Sequence, residues 1–200
     1  MLIDFHLGIV MFSSVIWIII CLYFIKVKKK SLTYILFFSV FYIYILQVIN
    51  LTQFPIIIHD ENNASSVTEA ISNNVYLIPF QGGFNLSYFM STPVLLNILM
   101  TIPFGFGVNF IAKTSLGKII FMGVCLGVMI ELLQFIVLIV NLFHLRLVMI
   151  DDVIFNFIGV MIGYFVFKVF ARAYIQIVDR NNIDLNSITQ YIYDVSKSHS

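Results

Sequence analysis

Five stretches of 18 to 22 residues run almost without charge along this chain: Leu7 to Ile25, Leu32 to Ile49, Val94 to Ala112, Ile119 to Val140 and Val153 to Phe170. A helix rising about 1.5 Å per residue needs roughly 20 residues to cross a hydrocarbon core about 30 Å thick. Each stretch has the length of one membrane span. A helix satisfies its own backbone hydrogen bonds in lipid, so the expected fold is an all-α integral membrane protein with a five-helix transmembrane bundle. Composition agrees, since only 10% of residues are charged against about a quarter in soluble domains. The 200 residues leave no room for a separate soluble catalytic domain.

Basic residues give the expected orientation, because positively charged loops stay in the cytoplasm. With Lys26 to Lys30 inside, alternation also puts Lys113, Lys118, Lys168, Arg172, Arg180 and Lys197 inside, and ten of the 11 basic residues share one side. Only Arg146 falls outside. No basic region precedes Leu7, so the first span reads as a retained anchor rather than a cleaved leader. The amino terminus is then outside and the carboxyl terminus cytoplasmic.

Three regions follow. Residues 1–74 hold two spans and a polar outer loop from Asn50, with His59, Asp60 and Glu61 in it. Residues 75–170 hold three spans preceded by an aromatic stretch, Val75 to Met90, in which Pro79 and Gly82-Gly83 prevent a continuous helix. That stretch is expected as an interfacial or re-entrant segment on the outer face, with its rings at headgroup depth. Residues 171–200 form a polar, frayed cytoplasmic tail.

Charge inside a span costs about 2.5–3.5 kcal/mol at a helix centre and so points to function. Glu131 lies in the fourth span with Gln134 three residues on, and Gly123 and Gly127 share its face. The fifth span begins beside Asp152, whose face carries Asn156, Gly159 and Gly163. Small-residue strips let helices approach closely. The fourth and fifth spans are therefore expected to pack glycine against glycine near the cytoplasm, with Glu131 and Gln134 meeting Asn156 and Asp152 toward the outside. Helical spacing favours Asp152 over Asp151 as the residue that faces this cluster. Arg146 is close enough to pair with Asp151, Asp152 or Glu131, and guanidinium suits carboxylates and phosphates. In the third span Asn97 sits in the outer half, while Pro103 and Gly105 are expected to kink the helix and free backbone carbonyls. The candidate binding set is Glu131, Gln134, Arg146, Asp152, Asn156 and Asn97, around a pocket open to the outer leaflet. The bland alternative is that these groups only hold helices together.

No catalytic residue, cofactor or metal is expected. His6, His59, His144 and His199 are scattered, Cys21 and Cys125 sit singly in apolar runs, and no phosphate loop or serine-nucleophile motif occurs.

At these positions the chain resembles the VanZ-like family of small bacterial membrane proteins. The likeness runs through Leu77-Ile-Pro-Phe80, Asn97 to Gly105, Glu131-Leu-Leu-Gln134-Phe, Arg146, and Asp151-Asp152-Val-Ile-Phe-Asn156-Phe-Ile-Gly159. The family usually has Asn where Tyr76 stands and an acid where Met149 stands. The resemblance implies a multi-pass protein of the bacterial cytoplasmic membrane, in a family whose namesake is associated with low-level resistance to the glycopeptide teicoplanin. Four functions remain open: binding of an outer-leaflet envelope component, such as a lipid-linked molecule or lipoglycopeptide; an enzyme acting on an envelope lipid through Glu131 or Asp152; a proton-coupled transporter or flippase; and a structural assembly partner. The lipid bilayer is a partner in each, and nucleic acid in none. A second copy of the chain is a further candidate partner, since five spans enclose little pathway.

Overall fold

A computed structural model describes residues 2–3, 5, 7–57, 67–81, 83–141 and 147–199. Arg146, His144 and the stretch from His59 to Asn63 lie outside the described residues. Five long apolar helices cross-pack as a bundle: α1 (Leu7–Lys26), α2 (Leu32–Gln53), α5 (Thr92–Gly107), α6 (Leu116–Asn141) and α7 (Ile150–Asn181). Shorter helices are α3 (Val67–Asn74), α4 (Leu86–Phe89) and α8 (Ser187–His199), and a 3-10 turn over Val108–Phe110 extends α5. The chain is a multi-pass membrane protein. Large apolar side chains such as Phe12, Phe121 and Val169 point outward, as expected where lipid replaces water.

Two short strand pairs tie one end together. β1 (Leu2–Ile3) pairs antiparallel with β2 (Ile56–Ile57), and β3 (Val75–Tyr76) pairs parallel with β4 (Val148–Met149). This end, which carries Glu131, Asp151 and Asp152, is called the carboxylate end below. The opposite or lysine end gathers the α1–α2 turn, the loop after the 3-10 turn, and α8.

The tightest contact in the bundle is between α5 and α7. A Cβ on Gly105 would lie 1.9 Å from the Val160 carbonyl oxygen, one on Gly159 2.2 Å from that of Ile98, and one on Gly163 2.0 Å from that of Ile102. The expected glycine-to-glycine packing of the fourth and fifth spans is therefore corrected. Gly159 and Gly163 receive the backbone of α5, while Gly123 and Gly127 on α6 receive Phe157, Val160 and Val153 of α7. Each glycine accepts bulk from its neighbour, so α7 is flattened on one face and knobbed on the next. Pro103 is exposed and α5 stays helical through it. Gly105 acts as a contact point and not as a hinge.

Two polar regions are more ordered than the sequence suggests. The polar stretch from Asn50 contains the last turn of α2 and all of α3, where Ala70 packs with Leu138 and Val148. The tail is also corrected. At 32 residues, α7 is about 48 Å long, beyond the roughly 30 Å hydrocarbon core. Its projecting end gives α8 a surface: Tyr191, Ile192 and Val195 pack against the Phe110–Phe167–Ala171 cluster. The α8 sequence looked polar because its apolar residues recur at helical spacing along a single face.

Candidate functional site

The site is built around the start of α7. Met149 occupies the N-cap position and supplies no side-chain cap, which leaves the first backbone N–H groups of the helix needing acceptors. Glu131, only 6% exposed, reaches across from α6, and its Oε2 accepts from Met149 N at 3.0 Å. Asp151 and Asp152 occupy the first turn of α7. The partial positive charge of a helix N-terminus favours all three carboxylates there.

Adjacent residues on a helix point about 100° apart, so Asp151 and Asp152 serve different neighbours. Asp152 faces α5, where the Asn97 side chain lies near it, and it is close enough to Glu131 for their charges to interact. Asp151 is 1% exposed and turns to the aromatic segment, where its Oδ1 accepts from Phe80 N at 2.8 Å and its Oδ2 accepts from the Tyr88 hydroxyl. Phe80 has a φ of +60°, unfavourable for a bulky L residue, and its anchored N–H holds that turn. Phe84 then packs edge-on against Phe80 and Phe89, Phe89 packs edge-on against Phe155 of α7, and Tyr88 lies tilted against Phe155. Leu77, Ile78, Phe84 and Leu86 stay exposed, consistent with the interfacial depth expected for this segment.

One turn deeper, Thr101 Oγ1 donates to the Asn156 carbonyl at 2.8 Å and joins α5 to α7. The Asn156 side chain itself is fully buried, and neither Nδ2 nor Oδ1 has a hydrogen-bond partner among the described residues. An unsatisfied buried amide costs about 1–3 kcal/mol per group. It follows Asp152 by four residues on the same face. Gln134 stands apart from this group, because Nε2 donates at 3.4 Å to the Thr52 carbonyl of α2. The structure thus brings Glu131, Asp152, Asn97 and Asn156 into one neighbourhood and sends Gln134 to a second polar spot with Thr52 and Gln53. Arg146 is not described. Among the described residues, no group of three or more His, Cys, Asp and Glu side chains forms a potential metal site.

Sequence reasoning ranked Asp151 behind Asp152 and missed Tyr88 and the Met149 N–H. The Asp151-Asp152 pair carried a signal, since two neighbouring acids at a helix start cannot share one face. Burial first, then the Asp151 hydrogen bond and the charges of Asp151 and Asp152, hold the Tyr88 hydroxyl well above its ordinary range. A raised folded-state value means that this contribution is complete below about pH 10, the unfolded tyrosine value, and is lost as pH rises through the higher folded one. Tyr88→Phe should lower stability by about 1.5–3 kcal/mol in thermal unfolding. The ultraviolet alkaline titration of the wild type minus the variant should show one late-ionising tyrosine; a difference step at the ordinary value would contradict the contact.

A family model described as VanZ/LLP1 matches residues 38–171. The chain belongs to the VanZ/LLP1 family. The VanZ/LLP1 match begins inside α2 and ends in α7 at residue 171, so it takes in α5, α6, most of α7, the aromatic segment and the carboxylates Glu131, Asp151 and Asp152, and leaves out α1 and α8. Search of curated proteins and of solved structures returned no match.

Proposed function

We propose that this VanZ/LLP1 member is a non-enzymatic protein of a bacterial cytoplasmic membrane. Its carboxylate end faces outward and binds a lipid-linked envelope component or lipoglycopeptide, contributing low-level glycopeptide resistance of the teicoplanin type. The observation that carries this reading is the Asn156 amide, buried with its donor and acceptor both unpartnered among the described residues, one turn below Asp152 and Asn97. Helix association alone gives no reason to bury an amide whose hydrogen bonds go unmade. The other polar groups nearby are mainly acceptors, which suits a headgroup rich in hydroxyl, amide or ammonium donors. A cavity of about 300 Å³ with an apolar wall lies beside them, lined by Val75, Leu132, Phe135 and Val153 among others, and has the character of an acyl-chain groove. The orientation rests on the gathering of ten of 11 basic residues toward the lysine end.

The test is expression of the wild type, Asn156→Ala, Asp152→Asn and Arg146→Ala in a susceptible Gram-positive host, with teicoplanin susceptibility read against membrane abundance. Wild type is expected to shift susceptibility, and the variants to lose that shift at equal abundance. Variants that keep the shift would remove the polar cluster from the mechanism, and loss in strict proportion to abundance would favour an assembly role.

A proton-coupled transporter or flippase is favoured by one specific feature, the neighbouring Glu131 and Asp152 carboxylates inside the bundle. Lipid flipping in proteoliposomes that follows an imposed pH gradient and stops in Glu131→Gln would promote that reading above binding alone.

A further inference from the structure

At the lysine end, α8 closes a cavity of about 360 Å³ against the α1–α2 turn and the loop after the 3-10 turn, with Lys29, Lys30, Lys113, Tyr34, Asn109 and Tyr191 in its lining. We propose that this cavity binds the phosphate group of an anionic phospholipid in the adjoining leaflet. The site is independent of the carboxylate end and of the function proposed for it.

Three lysines line the cavity, against one acidic residue, Asp194. Asp194 is itself engaged, since its Oδ1 accepts from Gln190 Nε2 at 2.8 Å on α8. Among the described residues no carboxylate forms an ion pair with Lys29, Lys30 or Lys113. Lys30 Nζ sits 4.6 Å from the centroid of the Tyr34 ring, which holds its charge at the wall without neutralising it.

The backbone also places these lysines. Lys30 N donates to Phe24 O at 3.0 Å, and Lys29 has a φ of +50°. That is the left-handed residue of a helix-ending motif in which glycine is usual. A lysine there accepts a steric penalty that glycine would avoid. Behind the cavity, Asn109 is buried, and it fixes the floor by donating to Gly105 O at 2.7 Å and accepting from the Thr114 hydroxyl at 2.5 Å. The Tyr34 and Tyr191 hydroxyls donate to the backbone oxygens of Ile111 and Phe110, which makes the walls rigid. The positive charge is thus held on a preorganised frame.

An adjoining cavity selects a lipid over a free phosphate. About 390 Å³ of almost wholly apolar space is lined by Phe37, Phe41, Pro103, Phe106 and Phe170 and shares Phe110 with the basic cavity. Phe37, in the apolar lining, stacks at 5.2 Å on Tyr191, in the basic one. A phosphate held by the lysines with an acyl chain in the aromatic cleft matches a phospholipid lying against α2, α5 and α8. Basic pockets between membrane helices are known receptors for such headgroups.

The experiment titrates phosphatidylglycerol, phosphatidylcholine or inorganic phosphate into the detergent-solubilised full chain and counts retained molecules by native mass spectrometry. Wild type should retain phosphatidylglycerol about tenfold or more over phosphatidylcholine, from roughly fivefold per lysine near a charged surface. Lys29→Gln/Lys30→Gln/Lys113→Gln should abolish that preference, and Lys26→Gln/Lys28→Gln, outside the cavity lining, should keep it. Equal retention of both lipids by wild type, or equal loss in both variants, overturns the site. Displacement of phosphatidylglycerol by millimolar inorganic phosphate overturns the lipid assignment in favour of a soluble phosphate.

Discussion

Gly105→Ala is expected to deplete the protein strongly from the membrane fraction. Its Cβ would stand 1.9 Å from the Val160 carbonyl oxygen and 2.9 Å from Tyr164 N. Both are backbone atoms of α7, so no rotamer change can make room and the helices must separate. Overpacking of this kind costs about 1–3 kcal/mol and sometimes more, and separation would also weaken the Thr101 bond to the Asn156 carbonyl. Gly163→Ala should act alike, with 2.0 Å to the Ile102 carbonyl oxygen. The series is graded. Gly123→Ala meets side chains of Phe157 and Val160 at 3.1–3.3 Å, which can yield, and should cost little. Gly117→Ala has nothing within 4 Å and should be neutral or stabilising by about 0.4–1 kcal/mol. Thermal stability and abundance of the four variants check the order; equal effects at Gly105 and Gly123 would refute the α5–α7 contact as the tightest in the bundle.

The second large effect is expected at Asp151. Asp151→Ala leaves Phe80 N and the Tyr88 hydroxyl without their acceptor, each at about 1–3 kcal/mol when buried. It also frees the strained turn at Phe80. The aromatic segment from Leu77 to Ser91 should detach from α7, and limited proteolysis should cut there first while the α5–α6–α7 unit survives. Asp151→Asn keeps an acceptor for Phe80 N and should restore most of the protection. Asp152→Asn should leave the proteolysis pattern unchanged, because Asp152 faces Asn97 and not the segment. Unaltered cleavage in Asp151→Ala would show that ring packing alone holds this region down.

These two residues show how far sequence reaches. Hydropathy is a local, one-dimensional property, so the five spans, their order and the break at Pro79 could be read from residues alone. Helical spacing also put Asp152, Asn156, Gly159 and Gly163 on one face, and the described helix keeps them there. What spacing cannot supply is the neighbour found at that angle. The glycine face of α7 met α5 rather than α6, Gln134 went to Thr52 of α2, and Asp151, set aside because it lay off the chosen face, became the anchor of the aromatic segment. The tail likewise read as polar until the projecting end of α7 gave α8 a surface for its apolar stripe. Sequence by itself determined the membrane class and the angular position of each polar side chain about its own helix axis. Only the tertiary structure decided which partner occupies that angle, because helix–helix contacts depend on steric fit between residues far apart in the chain.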